Sequence, residues 1–171
     1  MFGLMQDHPL LISGLITHAA AQHPNREVAS RLNDGSIHHT TYQAVERRAR
    51  ALASRLESIG IKPGDRVATL AWNGFRHLEC FYGVSGMGAV LHTVNPRLFH
   101  DQISYIIRHA EGRILMFDAD LLPIVEGIAH ELSSIEHYVV LCSQAELPKS
   151  SKLSLLAYEQ WIEGFGERYT W

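Results

Sequence analysis

The sequence predicts an α/β protein: a doubly wound, mostly parallel sheet with flanking helices and an N-terminal β-hairpin. Three observations predict it. Four β-rich runs, at residues 66–72, 89–95, 113–117 and 137–142, start 23, 24 and 24 residues apart. That spacing suits successive strand–helix–strand units, because a crossover between parallel strands needs a dozen or more residues. The runs are nearly continuous in apolar residues, as strands covered on both faces are. The segments between them repeat apolar residues at helical period.

Taken in order, residues 10–23, LLISGLITHAAAQH, read as an amphipathic helix. VASRL and IHHTT flank Asn33-Asp34-Gly35-Ser36, a strong hairpin-turn signal. Beyond Thr40, residues Val45, Ala49, Leu52, Leu56 and Ile59 recur at steps of 4, 3, 4 and 3, which places them on one helical stripe. Thr40 and Gln43 are expected as its capping box, and Gly60 with Pro63-Gly64 ends it. Residues 75–88 are a further helical segment. In 101–110, DQISYIIRHA, Ile103, Ile106, Ile107 and Ala110 share a face, and Asp101 complements the helix N-terminus. After the third strand Asp118 or Asp120 is expected to cap a helix that tolerates Pro123 in its first turn and carries Ile124, Ile128 and Leu132. Residues 143–155, SQAELPKSSKLSL, read as a loop or linker, and 156–171 start one more short helix. The expected division is an α/β subdomain over 1–142, then a linker and short helix over 143–171.

Composition narrows the function classes. The chain has 171 residues, 46% hydrophobic and 19% charged, with 13 Gly and 6 Pro. Neither a disordered nor a collagenous chain fits. A net charge of −3 is the wrong balance for neutralising nucleic-acid phosphates, so no nucleic-acid partner is expected. Arg47, Arg48, Arg50 and Arg55 alternate with Glu46 and Glu57 and read as a solvated helix face. Cys80 and Cys142 lie in apolar contexts without C-x-x-C spacing and are expected as buried thiols of a reducing compartment. The first sixteen residues lack the basic-then-apolar pattern of an export signal, and no apolar run reaches the roughly 18 residues of a membrane span. A cytoplasmic location without a transmembrane segment is the expectation.

The stretch 83–99, GVSGMGAVLHTVNPRLF, carries the densest motif. Its glycines follow a helix and precede a strand, the reverse of a phosphate-cradling loop, so carbonyls rather than N–H groups face that end. A nucleophile elbow fails because Met87 stands where its second glycine belongs. Gly83 and Gly86 fit close helix packing, and Gly88 fits a left-handed cap. Asn95-Pro96-Arg97 differs: it follows the carboxyl end of a predicted parallel strand, where open α/β sheets place their crevices. Asn95 offers amide hydrogen bonds, Pro96 sets the exit direction, and Arg97 can meet an anion or an acidic partner residue. With His92 these residues form the candidate substrate crevice or interface; a rigid loop with a surface arginine is the alternative. Eleven histidines raise the question of metal, yet His77 and Cys80 at i, i+3 lack a second pair, and His38 and His39 point to opposite faces of a strand. No metal site, and no catalytic triad or carboxylate dyad, can be assembled.

Residues 40–99 and 102–118, above all KPGDRVATLAWN, RHLE and GMGAVLHTVNPRL, closely resemble fatty acyl-CoA synthetases of the adenylate-forming superfamily, in their medium- and long-chain bacterial branch. The resemblance runs from EVASRL to the final helix and implies part of the N-terminal large domain of such an enzyme. It implies a two-step reaction in which a fatty acid attacks the α-phosphate of Mg·ATP, giving an acyl-adenylate and pyrophosphate, and the CoA thiol then displaces AMP. The family's phosphate loop with its Lys, its ribose-binding Asp and the Lys of its mobile C-terminal domain have no counterpart here and are expected beyond Trp171. The resemblance therefore implies a scaffold, one crevice wall and a homodimer contact, inert alone. No cofactor is expected on this chain, whereas ATP, Mg and CoA belong to the complete enzyme with fatty acid as substrate. The chain breaks off before a new strand, which suits a portion of an enzyme; the alternative is a stand-alone α/β binding or interaction module that has lost the catalytic regions.

Overall fold

A computed structural model describes residues 3–4, 7, 9–165 and 169–171. The leader expectation falls partly on residues 1, 2, 5, 6 and 8, and the expected course of the last stretch on 166–168; both lie outside the described residues. Helix α1 (Ile12–Gln22) buries only Ser13 and Ile16. The hairpin follows, with β1 (Glu27–Arg31) antiparallel to β2 (Ile37–Thr41). Its turn is held by Asp34, whose Oδ1 accepts from the N–H and hydroxyl of Ser36 at 2.9 and 2.6 Å, and by Gly35 at φ 86°.

Helix α2 (Tyr42–Ser58) starts one residue later than its expected cap implies. The hairpin ladder runs through Thr40 opposite Val28 and ends at Thr41 opposite Glu27, so the helix can start only after Thr41, whose Oγ1 accepts from Ala44 N–H at 3.2 Å. The predicted stripe is the buried one, with Val45, Ala49, Leu52 and Leu56 fully inaccessible.

The winding sheet then builds as expected: β3 (Arg66–Leu70), α3 (Phe75–Gly86), β4 (Val90–Thr93), α4 (His100–Ala110), β5 (Ile114–Phe117), α5 (Leu122–Ile128) and β6 (His137–Val140). At the junction of the expected linker and final helix a strand is added, β7 (Leu155–Ala157), parallel to β6, and α6 (Tyr158–Ile162) follows directly. Sheet order is β4-β3-β5-β6-β7, with every pair parallel. The chain steps from β3 outward to β4, then crosses back to lay β5 on the other side of β3. The point of reversal lies between β3 and β5.

Two cores sandwich the sheet. Leu52, Leu56, Val67, Ile114, Met116, Val139, Tyr158 and Trp161 pack together, and Leu70, Ile103, Ile107, Leu115, Phe117, Val125 and Val140 form the other core. Along β5 the side chains alternate between the two, and all four are fully buried, which is why that run reads as continuously apolar. The helices α2 and α3 cross closely at Gly83, where a Cβ would stand 2.8 Å from Ala49 O and 2.9 Å from Leu52 Cδ2. Gly88 takes φ 84°, the left-handed turn its position predicts.

Candidate functional site

A crevice of about 220 Å³ opens outside the carboxyl ends of β3, β5 and β6, at the point where strand order reverses. Trp72, Asp118 and Cys142 reach it from the strand ends, Phe75 and Arg76 from the first turn of α3, and Asn33 from the hairpin tip. Both aspartates expected as helix caps do something else. Asp118 Oδ2 accepts the Trp72 backbone N–H at 2.7 Å. Asp120 accepts the Trp72 indole N–H at 2.9 Å and the Asn33 amide at 2.7 Å. The loop after β3 and the hairpin tip present the donors that both aspartates accept. Burial pushes the Asp118 carboxyl up to about 6; the Trp72 N–H and the charge of Arg76 oppose that rise, and the charge of Asp120 adds to it.

The residues singled out in the sequence divide here. Arg97 places its guanidinium carbon 5.8 Å from the centroid of the Trp72 ring, a contact with a crevice-lining residue made by a side chain that does not itself line the crevice. Asn95 spends its amide oxygen locally, accepting Arg97 N–H at 3.0 Å, and Pro96 lies half-buried between them. His92 does not line the crevice. It sits opposite Ala68 on β4, with a buried Nδ1 that has no hydrogen-bond partner, and burial lowers its pKa.

Around the crevice, His38 stacks on Phe75 at 3.8 Å between ring centroids and 20° between planes, which seats the hairpin on α3. On the other face of the same strand, His39 Nδ1 lies 3.0 Å from Glu27 Oε1. Behind α3, Glu79 is fully buried, accepting from Arg48 Nε at 2.7 Å and from the Tyr158 hydroxyl at 2.9 Å. Burial pushes its carboxyl up, against the pull of Arg48. Burial also works against the charge on Arg48, but the bond to Glu79 outweighs it and raises the guanidinium pKa. Arg48 and Arg76 both reach Glu159, at 2.8 and 2.6 Å, and Arg76 also donates to Leu141 O at 3.3 Å.

The expected solvated arginine face is thus corrected. Besides Arg48, Arg50 donates to Glu46 and to Tyr169 O and lies over the Trp171 ring, while Arg55 lies over Trp161 and Phe165. Several of these partners come from residues about a hundred positions later, beyond the reach of any local charge pattern.

The chemistry on offer is binding and orientation. His77 Nε2 meets Thr69 Oγ1 at 3.0 Å, and Cys80 Sγ lies against Met116 Sδ at 3.5 Å. Among the described residues no three His, Cys, Asp or Glu side chains come together to hold a metal ion. Cys142 lines the crevice, but burial pushes its thiol up to about 11, so it is protonated near neutrality and a poor nucleophile.

Residues 16–162, which contain every strand and the crevice, match the model of the AMP-binding enzyme family. The chain belongs to the AMP-binding enzyme family. Over its full length this AMP-binding chain is 44% identical to the 3-methylmercaptopropionyl-CoA ligase of Ruegeria pomeroyi, of which it covers 32%. It is 48% identical over 156 residues to the long-chain-fatty-acid–CoA ligase of Thermus thermophilus, a match covering 91% of this chain and 28% of that protein. The anthranilate CoA ligase AuaEII, solved in complex with anthranoyl-AMP, shares the fold with a TM-score of 0.76 at 23% identity, over 95% of this chain and 30% of that one. The AMP-binding chain therefore spans about a third of the length of the curated relatives it matches. Trp72, Asp118 and Asp120 were not singled out as site residues by sequence reasoning. The signal that finds them is their place just past two strands that prove adjacent at the reversal of strand order.

Proposed function

We propose that this chain is the N-terminal portion of an ATP-dependent fatty acid–CoA ligase, which converts fatty acid, ATP and CoA into acyl-CoA, AMP and pyrophosphate through an acyl-adenylate. The observation that carries this is identity of 44–48% to CoA ligases across nearly all of a chain that covers only 28–32% of their length. The chain supplies scaffold and one crevice wall, with Trp72, Asp118 and the Asn95–Arg97 loop at that wall, and associates as a homodimer. Segment 143–171 packs onto residues 1–142 through β7 and α6 and leads toward the region that grips ATP, Mg and CoA. Free thiols at Cys80 and Cys142 support a reducing, cytoplasmic setting. Among the described residues no helix is long and apolar enough to cross a membrane.

Without a phosphate-gripping loop the charge developing at the α-phosphate has no stabiliser. Fatty-acid-dependent ATP–pyrophosphate exchange is therefore expected from the polypeptide encoded by the complete gene and not from the purified 171-residue chain. Exchange by the chain alone above a buffer control, or its absence from the complete polypeptide with every fatty acid tried, overturns the proposal.

A further inference from the structure

Residues 169–171 touch both α2 and α3. Tyr169 and Trp171 pack against the core that holds Leu52 and Val84, with 5.6 Å between their ring centroids. One residue from each helix receives them. Arg50 of α2 donates to Tyr169 O and holds its guanidinium carbon 4.9 Å from the centroid of the Trp171 ring. Gly86, the last residue of α3, meets the same ring: a Cβ there would stand 2.5 Å from Trp171 Cε3 and 3.1 Å from its Cη2, and the three atoms nearest to it all belong to Trp171. Gly86 is helical and its φ is not positive, so space rather than backbone conformation calls for glycine at this position. Gly83 serves the close helix packing expected of both residues; Gly86 instead leaves room for an indole. The Trp171 Nε1 is buried with no hydrogen-bond partner among the described residues, a cost that the ring's contacts with its seat must outweigh.

We infer that Trp171 is a clasp: seated on Gly86 and covered by Arg50, it pins the chain to α2 and α3 and fixes the point from which the chain leads on toward the region proposed to grip ATP, Mg and CoA. A flat ring fits against bare glycine backbone where any Cβ would push it off. The seat also shares a frame with the crevice. Helix α3 lends Phe75 and Arg76 to the crevice from its first turn and packs on α2 at Gly83, so an exit pinned to its last residue is set relative to the crevice wall. Trp171, Gly86 and Arg50 do not line that crevice; they act as positioning residues, by holding the chain. The clasp rests on these contacts alone, and its consequence for the reaction rests on the ligase reading.

Fluorine NMR of the 171-residue chain labelled with fluorotryptophan tests the clasp. Of the resonances from its 3 tryptophans, the one lost in Trp171→Phe belongs to Trp171. Gly86→Ala, a change that favours the helix itself, is expected to move that resonance toward the position of free fluorotryptophan while those of Trp72 and Trp161 stay; Arg50→Met, which uncovers the ring, serves if the alanine variant does not fold. A Trp171 resonance that the substitution leaves in place, or that already sits at the free position in the wild type, overturns the clasp. The consequence is read from ATP–pyrophosphate exchange by the polypeptide encoded by the complete gene. Gly86→Ala and Trp171→Ala, folded by circular dichroism, are each expected to lower the maximal rate at least about tenfold, as misplacement far from the reacting atoms does, and Trp171→Phe, which keeps a ring on the seat, is expected to recover it. Full rates in both alanine variants overturn the positioning role. A wild-type polypeptide without exchange overturns the ligase reading and the positioning role with it, while the NMR result still decides the clasp.

Discussion

Asp118 holds the crevice loop in place with a carboxyl whose pKa rises from 3.8 in the open chain to about 6 in the fold, chiefly through burial. Between those values the folded protein keeps a proton that the unfolded chain has released. Stability contributed at this position is therefore present in acid and lost as pH climbs from about 4 to about 6. Asp118→Asn keeps an oxygen for the Trp72 N–H and removes the titration. Urea unfolding across pH 4 to 7 is expected to show the variant gaining on the wild type as pH rises through that window, with the difference level above it. Parallel stability curves would show that burial at this carboxyl carries no ionisation cost. The same residue illustrates how far reading by position goes: Asp118 stands where a cap belongs, and the Trp72 N–H in the loop after β3 claims its carboxylate.

At the scale of elements, α2, α3 and α6 are joined by the chain of contacts Tyr158–Glu79–Arg48–Glu159–Arg76. A buried pair of this kind adds little net stability over apolar residues, but breaking it leaves a charge with neither water nor partner. Arg48→Met is expected to cost about 3–5 kcal/mol in urea unfolding at neutral pH. Adding Glu79→Gln removes the stranded charge and leaves an acceptor for the Tyr158 hydroxyl, so the double variant is expected to be more stable than Arg48→Met alone. A double variant no better than the single one would assign the loss to packing of the arginine stem. This pin was illegible because Arg48 sits beside Arg47 and Glu46 in a run that resembles a water-facing stripe; Glu79 and Glu159 are 31 and 111 residues away. The helices themselves were legible, since Val45, Ala49, Leu52 and Leu56 announce one buried stripe.

For the molecule as a whole, the boundary expected after residue 142 cuts through one packed unit. Strand β7 closes the sheet beside β6, and Tyr158, Trp161 and Ile162 enter the core that holds Leu52, Leu56 and Ile114. Each such side chain contributes on the order of 1.5–3 kcal/mol by burial, and a domain's entire margin is only about 5–15 kcal/mol. A chain ending at Cys142 is therefore expected to lose its cooperative urea transition and to bind a hydrophobic dye, while the 171-residue chain unfolds in one step. A sharp, unchanged transition in the truncated chain would make residues 1–142 an independent unit after all.

The sequence by itself determined the α/β class, the hairpin, the order and spacing of the first four parallel strands, and the faces of α2 and α4. These depend on turn chemistry and on periods of two and 3.6 residues, which a short window contains. Only the tertiary structure decided that Trp72, Asp118 and Asn33 share one crevice mouth, that the arginines of α2 are occupied, and that Leu155–Ala157 add a further strand beside β6. Those outcomes depend on which distant groups arrive within about 3 Å of one another, and spacing along a chain carries no record of that.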